Sequence, residues 1–328
     1  MQNSGIATEI YSLVNHEEIR PTTNLIVSKN TAYDYLNNSN PNLEKLTTQY
    51  YETFAITGRF TGYFSNITLG EFYNNLSSKY SDSTAILGGL NSTARKEDSK
   101  KSESGSSSGG GSSQTTNQTN SKQDSENQQD VVTNPEDLTA GTSSIVGDRG
   151  TENFGIALFD EDVLCGELTA TESICHSLIT NNVDACIISI DNPVSEKEIE
   201  KLELQLFPQK TSNIKVDIKD DAPNISIKLT LDADIMTLDK DVNYETNEVL
   251  SKISDSTKKY LDEQFDKYFD KISKQYNVDI DNFNIKARNH FSTISEWEIF
   301  NWDEKYKKAK FDVTIDINVL STMLITKT

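Results

Sequence analysis

Beyond Pro208 the chain alternates apolar and polar residues with a period of two. Ile214, Val216 and Ile218 form one such run; Ile225, Ile227, Leu229, Leu231, Ala233 and Ile235 form a second. Asp220 to Asn224 lie between them as a turn. Strict alternation buries one face of a strand and wets the other, which predicts antiparallel pairing. The period then changes. From Glu245 to Tyr276, Leu250, Ile253, Tyr260, Leu261, Phe265, Tyr268, Phe269, Ile272 and Tyr276 follow one another largely by threes and fours, which predicts a long amphipathic helix. A second helical stretch covers about Asn282 to Phe300, and Phe311, Val313, Ile315, Ile317 and Val319 close the chain as another alternating strand. Strands, helices and a last strand imply an open sheet with helices packed on one face.

Residues 151–207 predict a smaller unit. Phe154–Phe159 and Val163–Leu168 are apolar runs joined by the acidic turn Asp160–Asp162, a β-hairpin. Thr169-Ala-Thr-Glu172 has the spacing of a capping box, in which Thr169 accepts from the Glu172 amide while Glu172 reaches back. A helix to about Thr180 and a strand over Ala185–Ile190 follow, and Ser195-Glu-Lys-Glu198 predicts the start of a further helix. The first 91 residues give a strand over Asn24–Lys29, a short helix from the Thr31–Asp34 cap, a helix over Thr47–Ile56, and another from the Thr68–Glu71 box with Leu69, Phe72, Tyr73 and Leu76 on one face. With one strand, that part is incomplete, and its sheet partners are expected upstream. The fold class expected is α+β and multi-domain, with mixed or antiparallel sheets.

Composition adds a linker. Residues 92–130 hold a single apolar side chain, Ala94, and so bury too little surface to offset the entropy of ordering. The segment 92–150, rich in Ser, Gly, Asn and Gln, is expected to be disordered; residues 92–130 as a flexible coil would span roughly 35 Å. The expected divisions are therefore 1–91, 92–150, 151–207 and 208–328.

Charge then removes function classes. The formal charge is −20, with acids scattered along the chain. Such a surface repels phosphate backbones and anionic headgroups, so no nucleic-acid partner is expected. Met1 is followed by QNSGIATEI, which has neither the basic start nor the apolar run of a signal peptide, and nowhere do eighteen apolar residues run together.

Candidate chemistry is sparse. Cys165, Cys175, His176 and Cys186 are the only metal set to weigh, but they fall on a strand, a helix and another strand rather than on short ligand loops. Cys165 and Cys186 sit among apolar neighbours and read as small core side chains. A cysteine nucleophile at Cys175 would need one of His16, His176 or His290, and neighbouring His176 points elsewhere on a helix. The turn Asp160–Asp162 lacks the ligand spacing and glycine of a calcium loop, and Gly109–Gly111 stand in polar linker rather than between strand and helix. No GxSxG, P-loop, GxGxxG or HExxH occurs. Trp297 and Trp302 would face different sides of one helix; burial of both is the expectation, with a partner surface as the alternative for one of them. Catalytic, metal and cofactor-binding residues are thus expected to be none, and the chain is not expected to be an enzyme.

The layout resembles the Ger(x)C family, the C subunits of spore nutrient-germinant receptors. NFGIALFDEDVLCGELTATES is similar to that family's hairpin and helix start through Gly155, Ala157, Phe159, Asp162, Leu164, Gly166, Leu168 and Glu172, with Cys165 where the family commonly has valine. The alternating strands, the long helix and the ending WDEKYKKAKFDVTIDINV match in order and spacing. Near the front, EEIRPTTNLIVSKNTAYDYL resembles the family through Glu18, Ile19, Arg20, Pro21, Leu25, Ile26, Val27 and Lys29.

That resemblance implies a three-domain α+β lipoprotein without enzymatic activity or cofactor. It implies a place on the extracytoplasmic face of the inner spore membrane, beside an integral-membrane A subunit and a transporter-like B subunit, triggering germination by small nutrients. Members begin with a signal peptide and a lipid-modified cysteine, whereas this chain enters midway through the first domain; a truncated or mis-started reading frame is expected, with a degraded gene as the alternative. No residue here inherits the lipid anchor. The competing reading is a stand-alone solute-binding lipoprotein, which needs a cleft between two similar lobes.

Overall fold

The computed structural model describes residues 5–39, 47–78, 81–91, 138–143, 149–194, 200–237, 242–244 and 246–320, with backbone alone at 47–49, 52 and 55. Helix α1 (Ala7–Val14) precedes strand β1 (Ile26–Ser28), helices α2 (Ala32–Asn37), α3 (Thr47–Thr61) and α4 (Leu69–Ser77), and strand β2 (Ser83–Leu90). The hairpin β3 (Thr151–Asp160) and β4 (Val163–Leu168) leads into α5 (Ala170–Thr180). Strands β5 (Cys186–Asp191), β6 (Lys201–Pro208), β7 (Asn213–Lys219) and β8 (Ala222–Ile235) follow. The chain ends through α6 (Asn247–Phe269), α7 (Phe283–Ala287), α8 (Ile294–Phe300), α9 (Trp302–Tyr306) and β9 (Lys310–Leu320).

The caps read from sequence form. Thr68 and Thr169 each accept from the amide three residues on, and Glu71 and Glu172 each return a carboxylate to the cap amide. Thr31 accepts from the Asp34 amide, and α5 runs to Thr180 as the spacing predicts. Asp220 and Asp221 both take positive φ, 51° and 62°, the geometry of a tight hairpin turn between β7 and β8. The long helix is α-helical to Phe269 and then widens into a π turn over Asp270–Tyr276, ended by Asn277 in the left-handed region.

Strands on either side of residues 92–150 share one sheet. Its order is β1-β2-β3-β4, with β1 parallel to β2 and the other pairs antiparallel. The segment 151–207 therefore does not form a sheet of its own: its hairpin completes the first sheet, while β5 and β6 join β7, β8 and β9 in the second. β2, inside the first 91 residues, gives β1 a partner that the sequence pattern does not announce. It is buried on both faces, with Ala85 and Leu87 packing on Phe72 of α4 and Ile86 on Phe54 and Phe64. Such a strand has no alternation to read, and Gly88–Gly89 further disguise it. The linker expectation is likewise corrected at residues 138–143. The Ala140 amide donates to Phe154 O at 2.9 Å, Leu138 O accepts from the Ala170 amide at 2.8 Å, and Leu138, Ala140 and Ser143 are buried. Residues 92–137 lie outside the described residues, as does the Ser195–Glu198 cap.

Two pairings in the second sheet differ from expectation. Where a helix after Glu198 is expected, Lys201–Pro208 is strand β6, with Leu202, Leu204 and Leu206 buried at a spacing of two. The final strand β9 lies parallel to β8 in register from Asn224↔Lys310 to Asp234↔Leu320. The helices α6 to α9 between them form a crossover, which returns the chain in the same direction. Those helices cover one face of this sheet through Ile253, Leu261, Phe265 and Phe269, while its other face stays wet.

The predicted single helix over 282–300 is broken at Ser292–Thr293 by a fresh capping box, and Asn301 at φ 55° turns α8 into α9. That break puts both tryptophans inside. Trp297 and Trp302 are 2% and 5% exposed with ring centroids 5.7 Å apart, so no partner surface is formed by either. Trp297→Ala is expected to cost about 3–5 kcal/mol in chemical denaturation, whereas Ile299→Ala, on the same helix but 83% exposed, is expected to change stability by less than about 0.5 kcal/mol.

Candidate functional site at the junction of the two sheets

Helix α5 is apolar or small on nearly every side, and nine of its eleven residues are buried. It lies between β3 of the first sheet and α6 beneath the second, touching both. Buried polar groups on it must therefore find partners on neighbouring elements. His176 Nδ1 lies 2.8 Å from Asp281 Oδ1, and the Tyr268 hydroxyl donates to Asp281 Oδ2 at 2.9 Å. Asp281 has no exposed side-chain surface. One turn earlier, the Glu172 carboxylate that closes the capping box also holds Lys271 Nζ at 2.6 Å. Two contacts thus fasten α5 to the end of α6 and the loop after it.

A cleft of about 560 Å³ opens beside this joint. Asp82, Asp160 and Asp162 of the first sheet line one side, and Asp279, Trp302 and Asp303 line the other. Asp82 accepts from the Asp279 amide at 2.6 Å, tying the approach to β2 to the loop before α7. The Asp279 carboxylate in turn accepts from the amides of Phe283 at 2.9 Å and Asn284 at 2.7 Å, holding the first turn of α7. Burial pushes both carboxyls up to about 7; for Asp82 the neighbouring Asp160 and Asp303 push further, and for Asp279 Asp281 does. The same cause raises Asp303. Trp302 Nε1 and the Tyr306 hydroxyl, both buried, have no hydrogen-bond partner among the described residues.

Of the residues weighed from sequence, Cys175 and Cys186 lie in one buried core against which Cys165 packs. Cys165 is half-buried on β4 with its thiol against Leu158 O at 3.4 Å, and burial raises it to about 11. Cys186 is raised to about 12 and Cys175 well above its usual value, again by burial, so thiolate is disfavoured at all three. His290 Nε2 donates to Val216 O at 2.6 Å, far in sequence from any cysteine. Among the described residues no three His, Cys, Asp or Glu side chains converge as metal ligands. The turn Asp160–Asp162 serves as a cap instead: Asp162 Oδ2 accepts from the Ala7 amide at 3.2 Å and Asp162 O from Ile6 at 3.0 Å, which starts α1. Gly109–Gly111 lie outside the described residues.

The hairpin motif acquires a physical account. Gly155 has φ 88° and sits so close to Leu168 O that no Cβ fits, while a side chain at Gly166 would strike the Tyr276 ring. Phe159 meets Phe72 edge-on at 5.1 Å, and Leu168 is fully buried. Near the front, Pro21 O accepts from the Gly70 amide at 2.8 Å, and Lys29 pairs with Glu167 at 2.7 Å. Gly155, Phe159, Gly166, Pro21 and Lys29 are thus joints between elements. The His176–Asp281–Tyr268 contact is not legible in the sequence beyond a histidine set among Ile174, Cys175, Leu178 and Ile179 of α5.

Two family profiles match the chain. One described as spore germination B3/GerAC-like, C-terminal, matches residues 154–323, and one described as spore germination protein N-terminal domain matches residues 1–90. No curated protein matches. A crystal structure of the GerBC protein is similar in fold, with a TM-score of 0.60 at 13% identity, covering 98% of this chain and 76% of that one.

Two outcomes follow from the junction. His176→Ala, which leaves Asp281 buried with one partner fewer, is expected to cost about 2–4 kcal/mol in urea unfolding, and Tyr268→Phe about half as much. Asp82 and Asp279 hold protons up to about pH 7 when folded but only to about 4 when unfolded. Stability from these two groups is thus lost as pH rises between those values. The urea midpoint is expected to fall from pH 5 to pH 8, and Asp82→Asn is expected to flatten that slope; an unchanged slope would contradict it.

Proposed function

We propose, because this chain belongs to the spore germination B3/GerAC-like family, that it is a non-enzymatic, lipoprotein-type subunit of a nutrient-germinant receptor. It works through contacts with membrane A and B subunits on the extracytoplasmic face of the inner spore membrane. The observation that carries this reading is the colinear match of both family profiles, which together take in residues 1–90 and 154–323. The side chains add support. Asp82, Glu172, His176 and Tyr268 serve as caps and joints between elements, and burial disfavours thiolate at Cys165, Cys175 and Cys186. No helix among the described residues is long and apolar enough to cross a membrane, so attachment in this reading comes from the partner subunits and a lipid anchor.

The competing solute-binding reading rests on the 560 Å³ cleft. Its walls come from dissimilar elements, the end of α4, the approach to β2 and the β3–β4 turn against the loop before α7 and the start of α9, rather than from two similar lobes. An in-frame deletion in a spore former is expected to abolish germination toward at least one nutrient while leaving sporulation intact, and the two membrane subunits are expected to co-purify with the tagged chain from detergent-treated spore membranes. Normal nutrient germination together with nutrient-dependent thermal stabilisation of the purified chain would instead establish the solute-binding reading.

A further inference from the structure

The first sheet is made by two stretches of chain that meet along one seam. β2, closing residues 1–91, pairs antiparallel with β3 from Ser83↔Phe159 to Leu90↔Thr151, with one bulge after Ile86. The seam is dry. Ala85, Ile86 and Leu87 are at most 1% exposed, and Ile156, Ala157, Leu158 and Phe159 across from them are fully buried. Residues 138–143 press on the same seam: a Cβ on Gly89 would stand 2.8 Å from the Gly141 nitrogen, so the two backbones touch.

Polar contacts pin the seam at separate places. Arg59 of α3 forks onto Asp184 at 2.9 and 2.8 Å, and Asn182 donates to Ser65 Oγ at 2.7 Å. Lys29 holds Glu167 at 2.7 Å, and the Gly155 amide donates to Tyr63 O at 2.8 Å. A strand ladder, an apolar centre and charged pairs at the rim are the anatomy of an obligate interface, a core cut in two. A covalent connection between two such pieces supplies an effective concentration on the order of millimolar, which adds proximity rather than contact. We propose that residues 138–328 carry a self-sufficient docking surface whose partner is residues 1–91. The pieces hold each other through the β2–β3 seam, and residues 1–91 supplied as a separate chain complete the sheet as well as when joined. The receptor reading can fail without touching this inference, which is measured on purified protein.

The test is the complete sequence with one peptide bond missing, made from a gene with a stop codon after Gly110 and a new start before Gly111. With a tag on one piece only, both are expected to co-purify in equal amounts and to elute together at the volume of the intact chain. They are expected to stay together at about 1 μM, roughly a thousandfold below what a tether supplies. Phe72→Ala removes the edge-on contact with Phe159. It is expected to weaken the split pair by at least about tenfold, while the joined chain keeps its far-ultraviolet circular dichroism. Pieces that separate at 1 μM overturn the proposal, as does loss of both to aggregates under conditions where the joined chain is soluble. Association that Phe72→Ala leaves unchanged overturns it too, because the contact is then not this seam.

Discussion

The structure turns on a helix with no wet side. α5 is enclosed between the first sheet and α6, and its burial joins what would otherwise be two separate layered halves. A helix enclosed this way contributes apolar area in every direction, yet each polar group on it must be met from outside. His176 is met by Asp281 and Tyr268, and Glu172 by Lys271. Partnering fixes α5 in rotation as well as in depth, because a turned helix would leave a buried histidine and a buried carboxylate unpaired.

The same economy governs the acids. In a chain of net charge −20 most of the described carboxylates stand in water, but Asp82, Asp162 and Asp279 are turned inward to meet amides at the starts of loops and helices. They converge from both halves on one cleft, where burial raises the carboxyls of Asp82 and Asp279 to about 7. Family membership and this architecture agree: the GerAC-like profiles cover both halves, and the joint between them is built from side chains of each.

Local signals were legible wherever one short stretch contains the whole reason for an element. The capping boxes at Thr68 and Thr169, the β3–β4 hairpin, the β7–β8 turn and the stripe of α6 all lie within a few turns of sequence. β6 was legible in principle, since Leu202, Leu204 and Leu206 alternate, but the capping pattern at Ser195 outweighed three leucines in a short run. β2 was not legible, because a central strand is apolar on both faces and carries no period. The tryptophans were placed inside as expected, though by a helix break at Asn301 that a five-residue spacing conceals.

What the amino-acid sequence determined by itself is the family, the α+β class and most of the helices and strands, since caps, turns and periodicity act over a few residues. What only the tertiary structure decided is which strands pair and which polar groups meet. β2 with β3 across the 92–150 segment, β9 parallel to β8, Leu138 and Ala140 packed against the hairpin and helix α5, and His176 on Asp281 all join residues far apart in the chain. Their partners are set by closing long loops around a common core, and no local pattern records which closure buries the most surface with every polar group satisfied.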